Sequence, residues 1–221
     1  MAEPHPVEPA TLTQISVLPK GTRPLIVCDI DEVVLHFIPH LEEYIGQRGY
    51  RFDSHVYKLI GNISALDGSP ANDETVRSMI QGFFDAHAGE QRLVDGAADS
   101  LNALSEFADI VLLTNLPGGH NKPVRTSLLE RNGISFPLVT NRGPKGGAVA
   151  ALAAGRREGV IFIDDSPSNL RSVRASLANA VLIQFIADAR FLATAEPLEG
   201  LGLKTNDWHQ TRTYIEGVLG G

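Results

Sequence analysis

Short apolar runs that end in polar residues recur along the chain and predict the strands of a parallel sheet. The runs closed by Asp29, Thr114 and Asp164-Asp165 are the clearest of them. The ligand sites of open parallel sheets lie at the carboxyl ends of the strands, so these polar residues are expected to meet at one sheet edge. The predicted strands are residues 25–29, 110–114, 138–140, 160–165 and 181–185.

Helical patterns alternate with these runs, which is typical of α/β proteins. One predicted helix opens at Asp95-Gly96-Ala97 and carries Leu101, Leu104 and Phe107 on one stripe. The other predicted helices are residues 123–132, 146–157, 168–178 and a short helix through Val218. The fold class predicted is a three-layer, Rossmann-like parallel sheet with helices on both faces and a small, mainly helical cap.

The chain divides into three predicted parts. Residues 1–23 are expected to form a loose N-terminal arm, with an edge strand over residues 12–18 as an alternative. Residues 24–37 and 94–221 are expected to form the α/β core. The insertion at 38–93 is predicted to be a small cap with helices at residues 41–47 and 73–88, which excludes water and selects the substrate. A simple packing extension remains the alternative.

Asp29 and Asp31 are separated by one residue at the end of a predicted strand, so both carboxylates point to the same face. Together with Asp164 and Asp165 they place four negative charges against the single positive charge of Lys145. Like charges about 4 Å apart repel by roughly 4 kcal/mol at an effective dielectric constant near 20. The cluster therefore indicates a bound cation, and its oxygen ligands favour Mg²⁺ over Zn²⁺. The net charge would then be −1, or zero with one carboxyl protonated.

The order of these residues resembles the haloacid dehalogenase superfamily, whose members are mostly Mg²⁺-dependent phosphohydrolases. The resemblance covers residues 24–185. It implies that Asp29 is the nucleophile and Asp31 the general acid and base, and that Thr114 and Lys145 hold the phosphoryl oxygens. The implied metal ligands are the Asp29 carboxylate, the Asp31 backbone carbonyl, Asp164 and Asp165, the last directly or through water. The substrate-binding residues expected are Thr114, Asn115 and Lys145.

Phosphate ester chemistry gives each of these residues a use. A carboxylate nucleophile divides a very slow displacement into two easier steps, and a second carboxyl can give and take the proton that each step moves. The function predicted is a Mg²⁺-dependent phosphomonoesterase that acts on a small phosphorylated metabolite through an aspartyl-phosphate. Alternatives within the same chemistry are a phosphotransferase and a phosphatase of nucleic-acid ends or phosphoproteins.

Two positions depart from the family pattern. The family often has Gly-Thr after the second aspartate, whereas this chain has Glu32-Val33. Glu32 is expected either to alter the turn that follows or to help line the site. Arg142 lies three residues before Lys145 and could compete for the phosphate, but a helix predicted to start at Gly146 favours an anion beside Lys145.

Composition narrows the class of protein. The chain has 221 residues and 43% hydrophobic content. Its formal net charge of −7 argues against nucleic acid as the main partner. No segment is as apolar and long as a membrane span, and the N-terminus lacks a signal-peptide pattern, so a cytoplasmic enzyme is expected. The one cysteine, Cys28, is expected to be buried, which suits a reducing compartment. The oligomeric state is left open.

A phosphoryl-binding receiver-like domain is the non-enzymatic alternative. Receiver domains also combine clustered carboxylates, Thr, Lys and Mg²⁺, but there the acidic pair comes first in the chain. Here the acidic pair Asp164-Asp165 comes last and the proposed acceptor Asp29 comes first. The order of the residues, together with the insertion after the first strand, favours the hydrolase.

Overall fold

A six-stranded parallel sheet forms the centre of the computed structural model, which describes residues 6–220. Strands and helices are numbered separately in chain order, and the strands of the sheet follow the order β5-β4-β1-β6-β7-β8. Strand β1 lies in the middle and pairs in parallel with β4 on one side and β6 on the other. The six strands are β1 (Leu25–Cys28), β4 (Asp109–Thr114), β5 (Leu138–Thr140), β6 (Val160–Asp164), β7 (Val181–Phe185) and β8 (Leu203–Thr205).

Helices cover both faces of the sheet. Ile26 and Cys28 of β1 face a core that also contains Leu101 and Trp208, while Leu25 and Val27 face the opposite core. The first face is covered by α4 (Ala97–Leu104), α5 (Asn121–Arg131) and α9 (Trp208–Leu219), and the second by α1 (Pro9–Ser16), α6 (Gly146–Ala153) and α7 (Pro167–Ser176). Because strand side chains alternate, β1 is buried on both sides, and the three-layer α/β prediction is confirmed.

The segment from residue 38 to 93, called the cap segment below, contains two helices and a hairpin. Helix α2 spans Ile38–Gly46 and α3 spans Asp73–His87, close to the two helices predicted there. Between them lie two short antiparallel strands, β2 (Tyr50–Phe52) and β3 (Ile63–Ala65), that the sequence analysis missed. These elements share a third apolar cluster with Phe37 of the core and with α8 (Ala189–Thr194). The proposed division into arm, core and cap stays a prediction.

Four local predictions were wrong. Residues 12–18 do not form an edge strand, because Pro9–Ser16 is a helix whose Thr11 hydroxyl donates to the Thr140 carbonyl at 3.0 Å. This contact also means that the arm is not loose from residue 9 onward, whereas residues 1–5 lie outside the described range. Phe107 is half exposed because α4 ends at Leu104, which removes Phe107 from the helical stripe. Helix α6 ends at Ala153 rather than at residue 157.

Cys28 is buried, as predicted, and Trp208 is buried as well. The indole N–H of Trp208 donates to the Val33 carbonyl at 3.0 Å, so a fully buried ring keeps its polar group satisfied. Across residues 6–220, every helix is too short or too polar to cross a bilayer. The cytoplasmic location stays a prediction.

Candidate active site

The carboxyl ends of β1, β4 and β6 bring the predicted site residues to one edge of the sheet. Asp29 follows β1, Thr114 is the last residue of β4, and Asp164 is the last residue of β6. Lys145 directly precedes α6. All four residues are buried, so their polar groups depend on partners other than bulk water.

Lys145 lies between two carboxylates. Its Nζ is 2.7 Å from Asp29 Oδ1 and 2.8 Å from Asp164 Oδ2. Burial alone would lower the pKa of this amine, but the charges of Asp164 and Asp29 outweigh it and hold the pKa above its ordinary value. The ammonium form is therefore retained, and it gives the site a fixed positive charge beside the proposed nucleophile.

Three carboxylates form a group with the composition and spacing of a divalent cation site. One oxygen each from Asp29, Asp164 and Asp165 lies within 4.8 Å of the others, and all three residues are buried. The Asp31 carboxylate is outside this group, and binding of the metal by the Asp31 backbone carbonyl stays a prediction. Ser166 N and Asn169 Nδ2 donate to Asp164 Oδ1 at 2.9 and 3.1 Å and hold that carboxylate in place.

The same group carries more negative charge than its surroundings neutralise. Burial, acting together with the neighbouring carboxylates, raises the pKa of Asp29 to about 7 and raises the pKa of Asp165 well above its ordinary value. The opposing charge of Lys145 limits the shift at Asp29. Buried oxygen ligands with an excess of negative charge are the donor set that Mg²⁺ prefers, so these residues fit the ion that the sequence analysis expected.

Asp31 is held by a second buried cation that the sequence analysis missed. Arg125 of α5 is completely buried, and its Nη1 donates to Asp31 Oδ1 at 3.0 Å. Gln91 joins the pair, donating to Asp31 Oδ1 at 3.0 Å and accepting from Arg125 Nη2 at 2.6 Å. The guanidinium also lies 5.6 Å from the ring centroid of Phe84. Asp31 therefore has a fixed orientation that depends on both the core and the cap segment.

The second cation changes the charge balance of the site. The site contains four carboxylates and two buried cations, Lys145 and Arg125. One divalent ion would bring the net charge of the site to zero without protonation of a carboxyl. A signal for Arg125 was present in the sequence. Arg125 precedes Leu128 and Leu129 by three and four residues, which puts it on the buried stripe of the helix.

Breaking this ion pair is expected to destabilise the fold. Arg125→Met should lower the free energy of unfolding by about 3 kcal/mol, the lower end of the range for removing one partner of a buried ion pair, because the Asp31 side chain remains 15% exposed. Urea denaturation measures the change. The exposed Arg171 of α7 offers a matched control, and Arg171→Met should change the free energy by less than about 0.5 kcal/mol. Equal effects of the two substitutions would contradict the structural role of Arg125.

The remaining predicted phosphate contacts differ in their surroundings. The Thr114 hydroxyl is 3.4 Å from Asp31 Oδ2, a long contact that leaves it free to turn toward a ligand. The Asn115 amide donates to the Gly143 carbonyl at 2.9 Å and accepts from Asn141 at 3.0 Å, so its side chain already braces a neighbouring loop. Contact of Thr114, Asn115 and Lys145 with a substrate stays a prediction.

Arg142, the rival of Lys145 for the phosphate, points away from the carboxylates. Its side chain is 79% exposed, and its Nε lies 4.0 Å from a carboxylate oxygen of Glu8. Lys145 is 1% exposed and contacts two of the clustered carboxylates. The geometry therefore favours Lys145 as the cation of this site.

Glu32 attaches the core to the start of α2. Its carboxylate accepts from the backbone amides of Phe37 and Ile38 at 2.9 and 2.7 Å, and from Asp188 N at 2.6 Å. The residue has a left-handed backbone, with φ of 64°, a conformation that costs a non-glycine residue about 1–2 kcal/mol. Burial raises the pKa of Glu32, and the three amide hydrogen bonds oppose that shift. Of the two expectations for Glu32, the turn is therefore the correct one, since its carboxylate braces backbone amides.

A cavity of about 550 Å³ opens beside these residues, between the core and the cap segment. Asp29, Asp31, Thr114 and Asp165 line its inner wall. Of the cations in the cap segment, Lys58 lines the same cavity. Arg48 instead stacks on the Tyr44 ring at 3.5 Å, and Arg77 lies 3.5 Å from Asp73 on an exposed surface.

Comparison with known proteins supports the fold. No family model matches the chain, and no curated protein matches it in sequence. Solved structures do match. A conserved haloacid dehalogenase-like protein of unknown function from Agrobacterium tumefaciens is 14% identical, with a TM-score of 0.62 over 88% of this chain and 98% of that one.

Two further structures have the same fold. The putative HAD-hydrolase YfnB from Bacillus subtilis, solved bound to magnesium, is 13% identical, with a TM-score of 0.54 over 90% of this chain and 99% of that one. A putative beta-phosphoglucomutase from Thermotoga maritima is 12% identical, with a TM-score of 0.55 over 88% and 99%. The resemblance stated from the sequence is thus confirmed for the fold.

Proposed function

We propose that this chain, whose fold is that of haloacid dehalogenase-like hydrolases, is a Mg²⁺-dependent phosphomonoesterase that acts on a small phosphorylated metabolite through an aspartyl-phosphate. The observation that carries the proposal is the contact of Lys145 with both Asp29 and Asp164, with Asp165 at metal-ligand spacing from them. This arrangement places three features in one buried cluster: the nucleophile Asp29, the fixed positive charge of Lys145, and a group of carboxylates that can bind a metal ion. The magnesium described for YfnB agrees with it.

In the first step, a carboxylate oxygen of Asp29 attacks phosphorus and the bond to the leaving alcohol breaks. Asp31 gives its proton to the leaving oxygen, for which it must enter the step protonated. Lys145 and the Thr114 hydroxyl hold the equatorial oxygens while charge spreads over them. Mg²⁺, held by Asp29, Asp164, Asp165 and the Asp31 carbonyl, would supply neutralisation of the phosphoryl charge.

In the second step, water attacks the phosphorus of the aspartyl-phosphate. Asp31, now a carboxylate, takes the proton from that water, and the bond to Asp29 breaks to release inorganic phosphate. Arg125 and Gln91 keep the Asp31 carboxyl in one orientation through both steps. The cycle thus returns Asp29 as a carboxylate and Asp31 as an acid.

Dehalogenation is the other chemistry suggested by the names of structural neighbours, one of which is a 2-haloacid dehalogenase from Pseudomonas syringae. A halide leaves without a proton, so a second carboxylate beside the nucleophile would have no role in that departure. The site therefore supports phosphate ester chemistry better.

Hydrolysis of 4-nitrophenyl phosphate in the presence of Mg²⁺ tests the proposal, with 2-chloroacetate as the competing substrate. Release of phosphate without release of chloride is expected. Chloride release alone would reject the phosphatase in favour of the dehalogenase. New esters formed in the presence of acceptor alcohols would indicate a phosphotransferase. A phosphoaspartate from acetyl phosphate that persists for hours would indicate the receiver-like alternative.

Replacing Asp31 with Asn is expected to slow turnover according to the basicity of the leaving group. An alkoxide needs the proton that Asp31 gives, so hydrolysis of an alkyl phosphate should fall on the order of 10²–10⁴-fold. The first step with 4-nitrophenyl phosphate should fall much less, because nitrophenolate leaves without a proton, and the burst of nitrophenol measures it. Asp99→Asn, at an exposed position of α4, is the control and should leave both rates unchanged. An equal loss for both esters would contradict the acid role of Asp31.

A further inference from the structure

The cavity beside the proposed nucleophile has two walls of different chemistry. One wall carries the carboxylates, and the other is mainly apolar, with side chains from the cap segment, from the residues that enter α2 and from α8, although Tyr57 and Lys58 of the cap segment also line the cavity. Phe37, Ile38, Ile80, Phe84 and Phe191 are the main apolar residues of this wall. Four of the five are buried, so the wall is continuous with the apolar cluster under the cap segment rather than being a set of isolated surface residues.

Apart from the carboxylates, Tyr57, Lys58 and Thr114, the polar side chains that line the cavity are already paired within the protein. The Ser166 and Ser168 hydroxyls lie 2.8 Å apart and bond to each other. Asn169 donates to both oxygens of Asp164, and Asn115 is bonded to the loop around Gly143. Among the described residues, Lys58 is the only cation that lines the cavity. A substrate with several hydroxyl groups would therefore find few free partners there.

This distribution distinguishes classes of phosphate ester. A sugar phosphate that enters an apolar wall loses hydrogen bonds to water and regains few, which costs binding free energy for each unpaired hydroxyl. An alkyl or aryl group has no hydrogen bonds to water to lose, and removal of its apolar surface from water contributes favourable binding free energy. The volume of about 550 Å³ is within the range of small-molecule sites.

We infer that the substrate is the phosphate monoester of an apolar alcohol, aliphatic or aromatic, whose hydrocarbon part lies against the wall formed by Phe37, Ile80, Phe84 and Phe191. The inference rests on the proposed function and narrows it to one class of metabolite. The phosphoryl group faces the carboxylate wall and the hydrocarbon faces the cap segment. Sugar phosphates are poor substrates in this assignment.

A homologous series of n-alkyl phosphates tests the inference, because these alcohols differ little in basicity and the chemical step stays the same. From ethyl to hexyl phosphate, kcat/KM should rise about fourfold for each methylene that is buried. Hexyl phosphate should exceed glucose 6-phosphate, also an ester of a primary alcohol, by on the order of 100-fold. A flat series, or a preference for glucose 6-phosphate, would overturn the inference while leaving the phosphatase intact.

A substitution in the wall should change the slope of this series. Ile80→Asn places an amide among the apolar side chains and should reduce the gain per methylene to less than twofold. Leu66→Asn is the matched control, since Leu66 is 65% exposed at the hairpin and outside the cavity. The control should keep the fourfold slope. If both variants kept it, the alkyl chain would lie elsewhere and the inference would be wrong.

Binding of n-alkylphosphonates separates this inference from the proposed function. These compounds resist hydrolysis, so calorimetry with the Mg²⁺-containing protein reports affinity without turnover. A fall in Kd along the series supports the apolar class even if no ester is hydrolysed. An unchanged Kd along the series overturns it whether or not the protein is a phosphatase.

Discussion

Asp29→Asn is expected to reduce hydrolysis of every phosphate ester on the order of 10⁴-fold or more, because an amide oxygen is too weak a nucleophile to form the acyl phosphate. The fold should survive, since an uncharged residue of the same shape removes a buried charge and its repulsion by neighbouring carboxylates, and these two effects raise the pKa of Asp29 to about 7. We expect the free energy of unfolding to change by about 1 kcal/mol or less. Steady-state kinetics and urea denaturation measure the two effects.

Two further measurements complete this test. Asp99→Asn, an exposed carboxylate on α4, should retain full activity. Rapid acid quenching of the wild-type reaction followed by peptide mass spectrometry should find a phosphoryl group on Asp29 and none in the Asn variant. Retention of more than a few per cent of activity by Asp29→Asn, or a phosphoryl group on another residue, would reject the mechanism.

Removal of Mg²⁺ with EDTA should abolish turnover, and addition of excess Mg²⁺ should restore it. Without the ion, the four carboxylates, Lys145 and Arg125 have a net charge of −2, and a phosphate dianion would enter a negatively charged site. Each like-charge contact near 4 Å costs roughly 4 kcal/mol at an effective dielectric constant of 20. A loss of at least about 100-fold is therefore expected in the phosphate release assay.

The same ion should stabilise the native protein, a readout that does not depend on turnover. Binding to the folded state alone raises Tm with the concentration of Mg²⁺. Asp165→Asn removes one ligand of the group and should weaken this increase, whereas Asp99→Asn should keep it. Full activity in EDTA, or an equal increase in Tm for both variants, would show that the carboxylate group does not bind the ion.

The central strands were predictable because they are buried on both faces. Strands β1, β4 and β6 are continuous apolar runs, and their carboxyl ends are marked by Asp29, Thr114 and Asp164. The elements that were missed have weaker signals. Strands β2, β3 and β8 have three residues each, and α8 has six, too few to reveal a period of 2.0 or 3.6. Strand β5 is equally short, but its Leu-Val-Thr sequence is typical of a strand. Tertiary contacts, not local sequence, determine these short elements.

Residues of the candidate site were predictable where their chemical type and their order in the chain form a pattern. Residues whose position depends on tertiary packing were not. Asp29, Lys145 and Asp164 belong to a pattern of spacing, and the structure brings their side chains within 2.8 Å contacts. Arg125 belongs to no such pattern, because an arginine on a mostly polar helix is ordinarily a surface residue. Its spacing from Leu128 and Leu129 indicates the buried side of the helix, but only the packing of α5 against Asp31 shows which group this guanidinium pairs with.

Glu32 makes the core and the cap segment interdependent when the insert is redesigned. It belongs to the core sequence, yet its carboxylate accepts hydrogen bonds from the backbone amides of Phe37 and Ile38 at the start of α2. A foreign insert grafted after residue 37 would keep this attachment only if the backbone amides at positions 37 and 38 could still donate to Glu32. Changing selectivity by exchanging the whole insert therefore requires residue 32 and the first turn of α2 to be chosen together. Substitutions at Ile80 or Phe84, which do not contact Glu32, leave that attachment undisturbed.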